Sequence, residues 1–254
     1  MTGEESNILS KIKRQSSLDA KNITWPALAA LTLSACGGGG GGGQMVQPTP
    51  TNRAPVAAAD KTVGMDEDAT NTALDIIRLG RKAYDEVWDR QKRLVDERRL
   101  GTVPDTLILV EHDPVYTLGK NSNENHLLRS RDTNIPVYQI ERGGDVTFHG
   151  PGQLVGYPIL DLHDHCLSVS WYIRKLEAVL IQTLEHFRIE AGRRAGLTGV
   201  WVGEEKIAAL GVRLSRWVSM HGFALNVQPD MCYFDGMIPC GIFEFGVTSL
   251  YELG

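Results

Sequence analysis

The chain holds 254 residues, 42% of them hydrophobic and 22% charged, with a formal net charge of −5. That length can bury one sizeable core, and the acidic balance excludes a nucleic-acid binder that neutralises phosphates with a large basic excess. Four cysteines in this length exclude a disulfide scaffold, and no apolar run of about 18 residues exists to cross a membrane as a helix.

Residues 1–70 read as a low-complexity, disordered tail. Lys11, Lys13 and Arg14 give early positive charge, and Ile23 to Ala35 is short and mostly apolar, though Pro26 interrupts it. Leu33-Ser34-Ala35-Cys36 and the run Gly37 to Gly43 follow. Residues 11–36 resemble a bacterial lipoprotein signal ahead of a Gly-rich tether; the other reading is an unprocessed, disordered tail. Gln, Pro, Thr and Ala dominate Gln44 to Asp60, a composition that cannot bury a core. Asn52 to Ala57 with Asp66-Glu67-Asp68 looks like the opening of a cadherin-like surface repeat, too short to fold as one.

From about Asn71 the pattern changes, and 71–254 is expected to form one domain. Arg81 to Leu100 predicts an amphipathic helix with Ala83, Val87, Leu94 and Val95 near one face and Gly101 as its stop. Thr106 to Val110 predicts a buried strand, Pro114 and Gly119 a loop, and Val137 to Ile140 another strand. Leu154 to Leu162 predicts a third, with Gly156 and Pro158 hinting at an irregular or edge position. Ser168 is a candidate N-cap for a helix whose stripe runs Val169, Tyr172, Ile173, Leu176, Val179, Leu180, Leu184, Phe187 and reads as core. Thr198 to Val202 and Lys206 to Leu214 flank Gly203-Glu204-Glu205 as a hairpin, and Trp217 to Val227 predicts a further strand. The sum is an α+β plan: helices packed on a mixed, largely antiparallel sheet.

Three segments could carry chemistry. Arg142-Gly143-Gly144-Asp145-Val146-Thr147-Phe148-His149-Gly150-Pro151-Gly152-Gln153 fixes an unusual backbone path, with a cationic fork at Arg142 and a donor or acceptor at His149. It is neither a P-loop nor a dinucleotide fingerprint, and a purely structural turn is the alternative. Pro239-Cys240-Gly241 sets a cysteine on a constrained turn; its thiol needs a nearby base or cation to ionise, and the alternative is a buried, inert cysteine. Lys206 opens the apolar run Ile207 to Val212. Desolvation there would favour the neutral amine, a usable base, but periodicity alone favours a hairpin-edge lysine in water. His163-Asp164-His165-Cys166 has ligand-type side chains without a second cluster at zinc spacing, so no metal site is expected. Cys232 and Cys240 lack redox-pair spacing.

Taken in order, Pro114-Val115-Tyr116-Thr117-Leu118-Gly119, the signature Arg142-Gly143-Gly144-x-x-Thr147-Phe148-His149-x-x-Gly152-Gln153-x-x-x-Tyr157, Gly199-Val200-Trp201-Val202, Lys206-Ile207-Ala208, His221-Gly222-Phe223-Ala224-Leu225-Asn226 and Pro239-Cys240-Gly241 resemble the lipoyl(octanoyl) transferases. The resemblance runs from about Leu74 to Gly254; residues 1–70 have no counterpart, and relatives often continue past Gly254, so a terminal packing element is expected to be missing. It implies a fold like that of biotin and lipoate protein ligases. It also implies Cys240 as acyl-thioester nucleophile and Lys206 as the acid/base that lowers its pKa. Arg142, Gly143, Gly144, Asp145, Val146, Thr147, Phe148 and His149, with Ala209, Leu210, Gly211 and Gly222, Phe223, Ala224, would line the acyl site.

The donor implied is octanoyl-acyl carrier protein. The acceptors implied are lipoyl domains of 2-oxoacid dehydrogenases and the glycine-cleavage H protein, met in the cytoplasm, without stable membrane insertion or nucleic acid. Thioester exchange is nearly isoenergetic and amide formation runs downhill, so neither ATP nor another cofactor is expected. Main-chain N–H groups near Cys240, and His149, are candidates to hold the oxyanion, and Arg213 and Arg216 candidates for a basic docking patch. Two other readings stay open: an ATP-dependent lipoate or biotin ligase that would not need Cys240, and a non-enzymatic surface lipoprotein with a degenerate transferase-like domain.

Overall fold

The computed structural model describes residues 74–128, 131–238 and 245–254. The expectations for residues 1–70 and for Cys240 therefore lie outside the described residues. In chain order the elements are β1 (Leu74–Lys82), α1 (Tyr84–Arg99), β2 (Asp105–His112), β3 (Val115–Leu118), β4 (Val137–Gln139), β5 (Val146–His149), β6 (Gln153–Ile159), α2 (Val169–His186), β7 (Gly192–Arg194), β8 (Leu197–Val202), β9 (Glu205–Ser215) and β10 (Val218–Asn226). Seven strands form one sheet in the order β1-β2-β6-β10-β9-β8-β7, and β4-β3-β5 form a second. Among the named strands, β1–β2 and β3–β4 pair in parallel and the other pairs are antiparallel, so the expected mixed, largely antiparallel α+β plan holds.

The helix α1 carries Asp85 and Glu86 in its first turn and Arg98 and Arg99 in its last, the order its dipole favours. Its buried positions Val87, Gln91 and Val95 recur every four residues and put one face on the sheet. Val87 packs with Ile108, Val110, Val155 and Tyr157, and Val95 with Ile159, Val218 and Met220. At the start of α2 the Ser168 hydroxyl accepts from the Trp171 N–H at 3.3 Å, the capping expected of it. Tyr172, Leu176, Val179, Leu180 and Leu184 are buried. Val169 and Phe187 are 49% and 42% exposed, so the core reading holds for the middle of the stripe and fails at its ends.

Three expectations need correction. The helix does not begin at Arg81, because β1 runs through Lys82 as a parallel edge strand, kinked between Arg78 and Arg81 where Gly80 takes a φ of 64°. The expected loop from Pro114 to Gly119 holds β3, all four residues of which are buried. And β6 is not an edge strand: it lies between β2 and β10. Its Gly156 and Pro158 are tolerated there for separate reasons. A Cβ on Gly156 would strike the Phe223 ring. The β10 ladder ends at Gly156, so Pro158 needs no N–H on that side; its carbonyl accepts from the Ser219 hydroxyl at 2.8 Å.

The His163–Cys166 run feeds an ion-pair network. Asp105 accepts from Arg98 Nε at 2.7 Å and pairs with His165 Nε2 at 2.7 Å, Arg98 also reaches Asp164, and His163 pairs with Asp161 at 2.7 Å. Burial opposes ionisation of Asp105, yet the bonds from His165, Arg98 and the Asp161 N–H hold its carboxyl below the usual range.

Candidate acyl-transfer site

The Gly-rich segment is held by close backbone approach. The Gly143 N–H donates to the Val212 carbonyl of β9 at 2.9 Å, and a Cβ on Gly211 would come within 2.9 Å of the Gly143 carbonyl. A Cβ on Gly119 would overlap the Gly144 carbonyl. Glycine at these positions lets two strands and a loop meet where side chains would hold them apart. Arg142 is buried, and its guanidinium donates to the Thr117 carbonyl at 2.8 Å, the Thr117 hydroxyl at 3.0 Å and the Gly143 carbonyl at 3.1 Å. The fork expected to meet a ligand thus clamps the loop to β3.

Beside this loop lies a small, partly open cleft with about 50 Å3 of accessible space. Arg142, Gly144, Asp145, Val146, Thr147 and His149 line it from the loop and β5; Ala209, Leu210 and Gly211 from β9; and Gly222, Phe223 and Ala224 from β10. Three distant segments converge because β9 and β10 pair with Gly211 opposite Gly222 and Ala209 opposite Ala224. Gly143 and Phe148, expected in the lining, are not in it. Gly143 spends its N–H on β9, and Phe148, fully buried, stacks on Tyr233 at 4.7 Å and packs on Tyr116 and Phe234. Alternation along β5 sends Phe148 to the face away from Thr147 and His149.

Next to it, Lys206 lines a second, smaller cleft with Gln153, Asn226, Phe234, Met237 and Val247. The two share Val146, Thr147 and Ala209. Lys206 is 6% exposed, so the hairpin-edge lysine in water that periodicity favours is wrong. Burial follows from the segment after residue 244: the Lys206 N–H donates to the Gly246 carbonyl at 3.0 Å, and its own carbonyl accepts from the Thr248 N–H at 3.1 Å. Lys206 Nζ sits 4.8 Å from the Trp201 ring centroid. Gly199 gives the side chain room, since a Cβ there would stand 3.2 Å from Lys206 Cε at a φ of 136°.

Two histidines, His149 and His221, line the larger cleft, and His112 lies behind His149. The His112 and His149 ring centroids are 5.9 Å apart, and His149 stacks on Tyr84 at 6.0 Å. His221 of β10 is 2% exposed at a φ of 60°, its Nε2 3.7 Å from Glu141. Burial pushes all three imidazoles down from 6.5: His112 to about 4, His149 to about 3 with help from neighbouring His112, and His221 in the same direction. Between pH 6.5 and those values the unfolded chain binds more protons, so acid favours unfolding. Stability is expected to be full above pH 6.5 and to fall by up to about 4 kcal/mol per pH unit near pH 5, about 1.4 for each histidine. Urea denaturation at pH 7.5 and pH 5 measures it; an unchanged midpoint would contradict neutral burial.

Residues 83–254 match the family model of the lipoyl protein ligase A/B catalytic domain. A relative from Synechococcus elongatus, named octanoyltransferase, is 50% identical over 179 residues, covering 70% of this chain and 77% of its own. Another of that name from Solibacter usitatus is 52% identical over 181 residues, covering 70% and 82%. The chain belongs to the octanoyltransferase family. Solved structures agree on the fold. A lipoate-protein ligase A bound with ATP gives a TM-score of 0.53 at 14% identity over 70% of this chain and 76% of that one. A bi-partite lipoate protein ligase from Thermoplasma acidophilum gives 0.51 at 16% over 70% and 74%. The expected lipoate-ligase-like fold is therefore the observed one.

In this octanoyltransferase-family chain, sequence reasoning left out four residues that line the larger cleft: Tyr84, Val155, Tyr157 and His221. Tyr157 and His221 stood inside quoted motifs and carried a signal. Tyr84 and Val155 are indistinguishable from ordinary core residues by spacing. Arg213 pairs with Glu141 at 3.2 Å, so its charge is partly committed. Among the described residues, no helix is long and apolar enough to cross a membrane.

Proposed function

We propose that this chain transfers an octanoyl, or lipoyl, group from acyl carrier protein through a Cys240 thioester to a lysine of lipoate-dependent domains. The acceptors are lipoyl domains of 2-oxoacid dehydrogenases and the glycine-cleavage H protein, and the place of action is the cytoplasm that holds them. The observation that carries this reading is a buried lysine, Lys206, in a cleft whose other walls include Met237 and Val247. Those two residues bracket Cys240 in the sequence. The relatives named octanoyltransferase support the acyl group.

The steps balance without an external energy source. Lys206 takes the Cys240 proton, and the thiolate attacks the carrier thioester. A new C–S bond forms, the carrier's C–S bond breaks, and the carrier thiol leaves with the proton from Lys206. The acceptor amine then attacks the enzyme thioester: a C–N bond forms, C–Sγ breaks, and the amine proton passes through Lys206 to sulfur. Sulfur exchange is nearly isoenergetic and the amide is the more stable product. Six methylenes buried against Ala209, Gly211 and Ala224 contribute about 5 kcal/mol at ~0.8 kcal/mol each.

Intact-mass spectrometry after incubation with octanoyl-acyl carrier protein, without ATP, is expected to show one octanoyl adduct, mapped to Cys240 by peptide digestion. A chain that stays unmodified yet lipoylates its acceptor when given ATP and free octanoate would replace this reading with a ligase.

A further inference from the structure

Beneath the cleft runs a line of buried hydrogen bonds whose direction can be read from one end. Asn226 Nδ2 lies 2.9 Å from the Thr248 carbonyl, which can only accept, so this nitrogen donates and the amide is oriented. Asn226 Oδ1 must then accept, and it takes the bond from Gln153 Nε2 at 2.9 Å. That orients the second amide and leaves Gln153 Oε1 as the acceptor facing His149 Nδ1 at 2.8 Å. His149 Nδ1 therefore carries the proton. Asn226, Gln153 and His149 are 4%, 2% and 6% exposed, so water does not compete for these bonds.

The backbone sets this line. Gln153 and Asn226 face each other across β6 and β10. Gly152 fixes the start of β6 with a φ of 82°, its carbonyl accepting from the N–H groups of Val227 and Gln228 at 3.1 and 2.8 Å. Thr248 donates its own N–H to the Lys206 carbonyl, so one residue anchors both the relay and the strand that carries the lysine.

We propose that Asn226 and Gln153 are positioning residues that lock His149 as its Nδ1–H tautomer and thereby present a bare Nε2 lone pair to the cleft. That lone pair accepts a hydrogen bond from an N–H and cannot donate one to an oxyanion, which corrects the oxyanion role expected of His149. Burial keeps the ring neutral, so Nε2 acts as an acceptor and takes no proton itself. The N–H it fits is that of the acceptor lysine amine: His149 orients this nucleophile while its nitrogen lone pair attacks the acyl carbonyl. The amine enters only in the second half of the proposed reaction, so the lock serves transfer and not acylation. This assignment rests on the thioester reading above.

Two measurements on the full chain test it. Nitrogen-15 NMR of histidine-labelled protein reads which ring nitrogen of His149 is protonated; Nδ1–H is expected in the wild type. Gln153→Leu removes the acceptor and is expected to release the tautomer. Rapid-mixing kinetics then separates the halves: Gln153→Leu should slow transfer to a lipoyl-domain lysine about 10- to 100-fold, and slow acylation of Cys240 far less. A wild-type His149 protonated on Nε2 overturns the proposal, whether or not the variant folds. Equal slowing of both halves, or of neither, also overturns it. Failure of wild-type Cys240 to acylate at all would instead sink the thioester reading.

Discussion

Cys240→Ala is expected to lower octanoyl transfer from the carrier by at least about a thousandfold. With no thiol, the acceptor lysine must attack the carrier thioester directly, and at neutral pH an exposed lysine with a pKa near ~10.4 is almost wholly protonated. The cleft could still gather both substrates, so some proximity effect survives, but the covalent relay that lets each substrate visit separately is gone. Cys240→Ser should fare little better, since a serine hydroxyl is a weaker nucleophile and its alkoxide a poorer leaving group than a thiolate. Product formation on a lipoyl domain, followed by gel shift or mass, measures this. A Cys240→Ala chain that keeps its rate with free octanoate and ATP would identify a ligase.

Lys206→Ala is expected to cost about 10²- to 10⁴-fold in transfer at pH 7, and to move the pH profile of Cys240 alkylation by iodoacetamide upward by about one unit or more. Lys206→Arg separates charge from proton transfer. A guanidinium keeps a positive neighbour for the thiolate but does not give up its proton below about pH 12. It should therefore restore part of the alkylation profile and little of the transfer. Circular dichroism of both variants checks that the fold is retained. An alkylation profile identical to wild type in Lys206→Ala would remove the dyad.

Periodicity carried both helices and the inner strands of the larger sheet because their buried faces are simple. Val87 and Val95 on α1, and Leu176 and Leu180 on α2, mark their contacts by spacing alone. The strands β1 and β3 were not legible, for different reasons. Arg78 and Arg81 on β1 read as the approach to a helix, since an edge strand can carry charge. The four residues of β3 lie between Pro114 and Gly119, which look like loop punctuation. Lys206 was misread by periodicity because its burial comes from Gly246 and Thr248, forty residues further along the chain, which no local pattern reports. Cleft residues were legible only as motifs: Gly211 and Gly222 matter for the atoms they lack, and a sequence shows such a gap only as an unexplained glycine.

The middle strand of the large sheet, β10, is also the last of its described strands to be synthesised. Until it leaves the ribosome, β6 and β9 each present an unsatisfied edge, and the apolar side of α1 has only part of its floor. The nascent chain must therefore hold most of this sheet open until β10 has emerged, then close it in one step. A pause or truncation before residue 218 would leave a sticky intermediate in need of a chaperone, whereas damage to the outer strand β7 would be felt far less.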